Sequence, residues 1–234
     1  MDVKAVLFDV FGSVVDWRGS LIGEFPEWGA ARGINADWTG LVDAWRGAYA
    51  PSMDRVRRGE IPWTVLDDLH RTSLDRLVAE FGITGLSRAD LEWINNGWRR
   101  LRPWPDSVAG VTRLKTRYVT GTLSNGNVKL LVDMAKNAGL PWNVITPIDL
   151  LRHYKTDRET YIGACELLRL RPEQVMLAAA HNNDLHAARA AGLKTGFFPR
   201  PTEYGPHQSR DLAADAAWDV VARDIADLAS RMGC

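Results

Sequence analysis

Apolar residues run without alternation from Ala5 to Phe8 and stop at an acid, Asp9. A strand buried on both faces, as in the middle of a parallel sheet, has that pattern. Gly12 follows and lets the chain turn away. The acid therefore falls at the C-terminal end of a predicted central strand, the edge where open α/β sheets bind ligands. An Asp that caps the next element would read the same way. The pattern then changes. After the passage Asp16-Trp17-Arg18-Gly19, apolar positions recur at helical spacing over residues 38–50 and 62–81, with Leu66, Leu69, Leu74, Leu77 and Val78 on one face. Ser87 to Asp90 spell a cap for a further helix over 91–99. No strand is predicted between Val15 and Leu101, and Arg102-Pro103-Trp104-Pro105-Asp106 reads as a return linker.

From Val108 strands and helices alternate. The pattern predicts a helix over 108–116, then a strand over 118–123 ending at Ser124-Asn125-Gly126-Asn127. A helix over 129–138, stopped by Gly139, and a short strand over 143–146 come next. A helix over 157–168, capped by Thr156 or Asp157, precedes a strand over 175–180 that closes on His181-Asn182-Asn183-Asp184. A helix over 185–191, a strand over 195–198 and an amphipathic tail helix over 219–231 complete the chain. Strands separated by helices imply βαβ units. The expected fold is therefore α/β, a doubly wound parallel sheet, with 1–14 and 103–234 as the core domain and 15–102 as an inserted helical cap domain.

Composition narrows the classes. Lysine plus arginine equals aspartate plus glutamate at 29 each, so no net field favours nucleic acid or an anionic membrane. The longest apolar runs fall short of a membrane span, and the N-terminus leads straight into the first strand, leaving no room for a signal peptide. Only Cys165 and Cys234 occur, so no disulfide framework is expected and a reducing cytoplasm fits. Seven of the ten tryptophans precede residue 100, enough to make the inserted block a partner surface or, since most lie at helical spacing, to pack it on the core.

Three predicted strand ends carry polar clusters: Asp9, Ser124-Asn125, and His181 to Asp184, with Lys155 between the second and third. Each alone has an ordinary explanation. Ser-Asn after a strand is commonly a turn, a lone Lys is commonly solvated, and His-Asn-Asn-Asp can cap the helix it precedes. The order acid, hydroxyl, lysine, acid is more specific, because a doubly wound sheet can bring these ends to one edge.

Asp-Val-Phe-Gly-Ser (9–13), Leu-Ser-Asn-Gly (123–126), Tyr-Lys-x-Asp-x-x-x-Tyr (154–161), Asp184 and Trp45-Arg46 together carry a resemblance. In them the chain resembles the haloacid dehalogenase superfamily over nearly its whole length, and within it the dehalogenases of 2-haloalkanoic acids. The resemblance implies Asp9 as the nucleophile that displaces halide and forms an ester, Lys155 as its guide, and Asp184 as the group that activates water. Ser124 and the backbone at Val10 and Phe11 would bind the substrate carboxylate, Arg46 and Asn125 the departing halide, with Ser13, Tyr161 and Asn183 as supports. Phosphatases of the superfamily carry a second Asp two residues after the nucleophile, where this chain has Phe11. No metal and no cofactor are therefore expected, since a hard cation stripped of carboxylates binds poorly. The expected partners are a 2-halo acid, fluoroacetate among the candidates, and water, with a homodimer compatible. Ala179, His181 and Ile61 stand where the family usually has Ser, Asn and an aromatic residue. His181 is expected to position the hydrolytic water or, alternatively, to cap its helix. The competing functions are a magnesium-dependent phosphatase of the same superfamily and a non-catalytic binding protein on the same fold.

Overall fold

Strand β1 (Ala5–Phe8) lies inside a six-stranded sheet in the computed structural model, which describes residues 1–234. The chain leaves it through the two-residue β2 (Val15–Asp16) and enters five helices: α1 (Trp17–Ala30), α2 (Trp38–Gly47), α3 (Tyr49–Arg57), α4 (Leu66–Glu80) and α5 (Arg88–Asn95). A 3₁₀ turn (Asn96–Arg99) leads to β3 (Arg102–Pro103), which returns antiparallel to β2. Then follow α6 (Ser107–Lys115), β4 (Val119–Thr122), α7 (Val128–Ala138), β5 (Val144–Ile145), α8 (Ile148–Leu151) and α9 (Arg158–Leu167). β6 (Val175–Ala179), α10 (Asn182–Ala190), β7 (Lys194–Phe197), β8 (Val220–Val221) and α11 (Ile225–Arg231) end the chain.

The sheet order is β5-β4-β1-β6-β7-β8, all parallel, with β1 paired to β4 and β6. This is the expected doubly wound α/β architecture with a helical cap. Alternation along β1 sends Ala5 and Leu7 to one face and Val6 and Phe8 to the other, and each face has its own core. The Val6 and Phe8 face continues without a break into cap residues Trp17, Leu21, Phe25, Trp45 and Trp98. Five of the seven early tryptophans are buried in that shared core: Trp28 and Trp38 pack within the cap, while Trp98 joins Trp17 and Trp45 to Phe11 beside the sheet.

Local chemistry sets the element ends. Asp16 caps α1 through Gly19 N at 2.8 Å, and Ser87 with Asp90 forms a capping box at α5. Gly139 stops α7 with φ +67°. The five residues predicted for one face of α4 are all buried.

Several expectations need correction. A strand does occur at the cap entrance: Val15↔Pro103 and Asp16↔Arg102 pair where a linker was predicted. The helix predicted over 38–50 is two helices, broken at Ala48. The tail helix over 219–231 starts only at Ile225. Asp219 accepts from the Thr195 amide and hydroxyl, each at 2.9 Å, which staples the segment beside β7, and the β-branched pair Val220-Val221 adds a strand there. Asp224 then caps the shortened helix. Helix α10 begins at Asn182, earlier than predicted, directly against the His181 site.

Candidate active site

Asp9 follows the last residue of β1 and is 8% exposed. Gly12, at φ +88°, turns the chain so that Ser13 folds back beneath it. Ser13 Oγ accepts from Ala180 N at 2.9 Å, which aims its O–H at Asp9 Oδ2, 2.6 Å away. The other oxygen, Oδ1, accepts from Lys155 Nζ at 2.8 Å. The same ammonium donates to Leu123 O at 2.8 Å and contacts Asp184 Oδ2 at 2.5 Å. Asp184 Oδ1 accepts from Tyr161 Oη at 2.6 Å. Acid, lysine and acid, 175 residues apart at their extremes by number, thus meet through one nitrogen at the sheet edge.

His181 stands at the N-cap position of α10, but its side chain makes no capping hydrogen bond. Its Nδ1 lies 3.0 Å from Asp9 Oδ2 and its Nε2 lies 2.7 Å from Glu203 Oε2. Both ring nitrogens therefore face carboxylates, one of them the Asp9 oxygen that Ser13 also contacts. Burial opposes a charged ring, but Glu203 and Asp9 raise the His181 pKa well above the ordinary histidine value. Burial likewise opposes ionisation of Asp9, yet Lys155 and His181 hold its carboxyl far below the usual range. Asp184 moves the other way: burial and the Asp9 charge push it up despite Lys155. Burial and the neighbouring Asp184 also push up the Tyr161 phenol, which stays a donor.

The cap closes the other side. Arg46 on α2 lines the same cleft as Asp9, with its guanidinium 4.4 Å from the Tyr49 ring centroid and 5.5 Å from that of Trp17. Asn125 Nδ2 donates to Tyr49 Oη at 2.8 Å, and its Oδ1 accepts from Lys155 N at 2.7 Å, tying cap to core beside the lysine. Ser124 is buried next to it. The amides of Val10 and Phe11 belong to no hydrogen bond within the chain, which leaves two donors at the end of β1.

Two placements differ from expectation. Asn183 is exposed on the cleft rim and makes no side-chain hydrogen bond, so it braces nothing. The bracing amide is Asn182, which bonds Asp211, Ala213 O, Asp215 N and the Trp218 indole. Ile61 packs in a separate cluster with Met53, Leu69, Ile148 and Tyr154. The sequence reading also missed Tyr49 and Glu203. Glu203 sits in the loop after β7 where no periodicity marks it; its only sequence signal is an acid between Pro201 and Gly205. No group of three or more His, Cys, Asp or Glu side chains is arranged to hold a metal ion, and both acids that would meet one already share the Lys155 ammonium.

Residues 3–192 match the haloacid dehalogenase-like hydrolase family. The solved structure of the L-2-haloacid dehalogenase PA0810 is 53% identical, covers 98% of both chains and superposes with a TM-score of 0.96. That of the defluorinating L-2-haloacid dehalogenase Rha0230 is 47% identical over 99% of this chain and 96% of its own, also with a TM-score of 0.96. The (S)-2-haloacid dehalogenase 1 of Pseudomonas sp. strain CBS-3 is 26% identical over 218 residues, 86% of this chain and 88% of its own.

Proposed function

Because the chain belongs to the haloacid dehalogenase-like hydrolases, and within them to the L-2-haloacid dehalogenases, we propose that it hydrolyses 2-haloalkanoic acids to 2-hydroxyalkanoic acids at Asp9. The observation that carries this reading is a buried, ionised Asp9 whose partner two residues on is the apolar Phe11, not an acid. Halide leaves without a proton, so displacement needs no acid at that position.

The geometry supports a division of labour between the two Asp9 oxygens. A carboxylate oxygen offers two lone pairs in its plane. Ser13 and His181 both occupy Oδ2, whereas Lys155 alone occupies Oδ1. Oδ1 therefore keeps a lone pair for in-line attack on the carbon bearing the halogen. The C–halogen bond breaks as the Oδ1–C bond forms, and the halide departs toward Arg46 and Asn125. The free Val10 and Phe11 amides with Ser124 hold the substrate carboxylate.

Hydrolysis reverses the roles around Lys155. Asp184, whose raised pKa makes it the better base, takes a proton from water as the water oxygen adds to the Asp9 carbonyl carbon. The bond from that carbon to Oδ1 then breaks. Lys155 gives a proton to Oδ1, which leaves as the product hydroxyl, and Asp184 returns its proton to Lys155 across their 2.5 Å contact. The attacking oxygen thus ends in the product, and a water oxygen replaces it in Asp9 and gives up its second proton to solvent, which restores the carboxylate.

We further assign residues 15–102 as the cap domain and 1–14 with 103–234 as the core domain, a division supported by the β2–β3 ribbon at the junction. The two free cysteines suit a reducing cytoplasm; no helix is long and apolar enough to cross a membrane.

The test is halide release from a panel of 2-halo acids, fluoroacetate included, with and without excess chelator. Turnover is expected to survive chelator; loss restored by magnesium would favour the phosphatase-like alternative. One turnover in heavy-oxygen water should label Asp9 before product. Label in product alone would mean direct attack by water and would refute the ester.

A further inference from the structure

Glu203 is the buried acid of the site that the mechanism above leaves without a part. It is 1% exposed. Its Oε1 accepts from the Trp17 indole at 3.1 Å and its Oε2 faces His181 Nε2 at 2.7 Å. A Cβ at position 12 would stand 2.0 Å from Oε1, so Gly12 serves the approach of this carboxylate as well as the turn. The loop that delivers it is pinned from beneath: Arg200 donates to Ser13 O at 2.9 Å and forms a two-pronged pair with Asp106 at 2.7 and 2.8 Å. The same loop places Tyr204 edge-on against Trp17, with ring centroids 5.8 Å apart.

The arrangement is carboxylate, imidazole, carboxylate in a line. Ionised carboxylates only accept, so an imidazole with one on each nitrogen must donate from both and is therefore a cation. A ring in that state has no lone pair for a water proton, which leaves proton removal to Asp184. What it can do is donate to Asp9 Oδ2. That oxygen becomes the carbonyl oxygen of the ester once Oδ1 has attacked. Ser13 Oγ and His181 Nδ1, at 2.6 and 3.0 Å, are already in place around it.

We propose that Glu203 is a positioning residue that keeps His181 an imidazolium, so that His181 Nδ1–H and the Ser13 hydroxyl together receive the oxyanion when water attacks the Asp9 ester. This rests on the covalent-ester reading above. As the water oxygen bonds to the ester carbon, the carbonyl electron pair moves onto Oδ2 and is met by the two donors. It returns to reform the carbonyl as the bond to Oδ1 breaks. No proton leaves His181 at any point. Donors fixed before charge develops are worth most in a site closed to water. The same two bonds block both lone pairs of Oδ2 in the resting enzyme, so Glu203 also helps decide, through His181, which oxygen attacks.

Glu203→Gln tests this by rapid-quench kinetics with chloroacetate. The variant should release one halide per site at a rate close to that of the parent. It should then hydrolyse the ester on the order of a hundredfold more slowly, so that the adduct on Asp9 accumulates and is seen by mass spectrometry. The burst amplitude counts folded sites, so partial misfolding lowers the amplitude and not the rates. Ester hydrolysis in the variant should also fall as pH rises through neutrality. The groups then facing His181 are Asp9 from β1, with Arg46 from α2 and Lys155 and Asp184 beyond Asp9, and without Glu203 the ring can lose its proton there. His181→Asn should show the slow hydrolysis without that pH dependence, because an amide donates but does not titrate. Parental hydrolysis in Glu203→Gln, or a burst slowed as much as turnover with no adduct, would overturn the proposal. If the parent enzyme itself never labels Asp9, it is the ester reading that fails.

Discussion

Replacing Lys155 by Met keeps the length of the side chain and removes its charge, and the consequence can be worked out from two distances. The ammonium touches Asp9 Oδ1 at 2.8 Å and Asp184 Oδ2 at 2.5 Å, so those oxygens are at most about 5 Å apart. At an effective dielectric of about 20, two unit charges at that separation repel by roughly 3 kcal/mol. Burial adds a further cost to each bare carboxylate, both being under 10% exposed. Protonating one Asp at pH 7 costs about 4 kcal/mol, roughly three pH units from its free value. Repulsion and burial together exceed that, so the folded variant should take up a proton that the unfolded chain releases. Lys155→Met should thus lose about 4 kcal/mol of stability at pH 7. The sign of the pH effect follows. An acid whose folded pKa is raised adds stability below its unfolded pKa and loses it as pH rises, here by about 1.4 kcal/mol per unit above about pH 4. Urea denaturation of parent and variant at pH 5 and pH 7 should therefore show a gap that widens with pH. Turnover should fall by on the order of a hundredfold or more, because the nucleophile loses its guide and the base is protonated. A gap under about 1 kcal/mol that does not change between the two pH values would show that Lys155 is not the ion separating these acids.

Two further outcomes are expected. Arg46→Ala should cut halide release by on the order of a hundredfold, by removing the cation that meets the departing halide; a change under about threefold would place Arg46 outside the site. His70, buried in the cap and stacked on Trp98 with ring centroids 4.4 Å apart, has its pKa lowered to about 3 by burial and then by Arg46. Such a ring costs stability as pH falls below the unfolded histidine value, so His70→Phe should recover about 2 kcal/mol relative to the parent between pH 7 and pH 5 in denaturant titrations; an equal acid loss in both proteins would refute the assignment.

The amino-acid sequence by itself determined the parts of this protein whose physics is local. An unalternating apolar run such as residues 5–8 is stable as a strand covered on both faces, and that alone puts Asp9 at a sheet edge. Helical spacing marked the buried face of α4, and the side chains of Ser87 and Asp90 announced the start of α5. The motif residues Asp9, Lys155 and Asp184 do converge, because parallel crossovers bring successive strand ends to one edge. Local pattern misled where a distant partner outweighed it. The tail looked helical from Asp219, but hydrogen bonds to Thr195 hold that residue against β7. The pattern around His181 gave no sign of its second partner, Glu203, 22 residues away in a loop without periodicity. Only the tertiary structure decides such a charge, because the proton on a buried imidazole depends on which carboxylates stand within about 3 Å of each nitrogen, and sequence spacing carries no record of that distance.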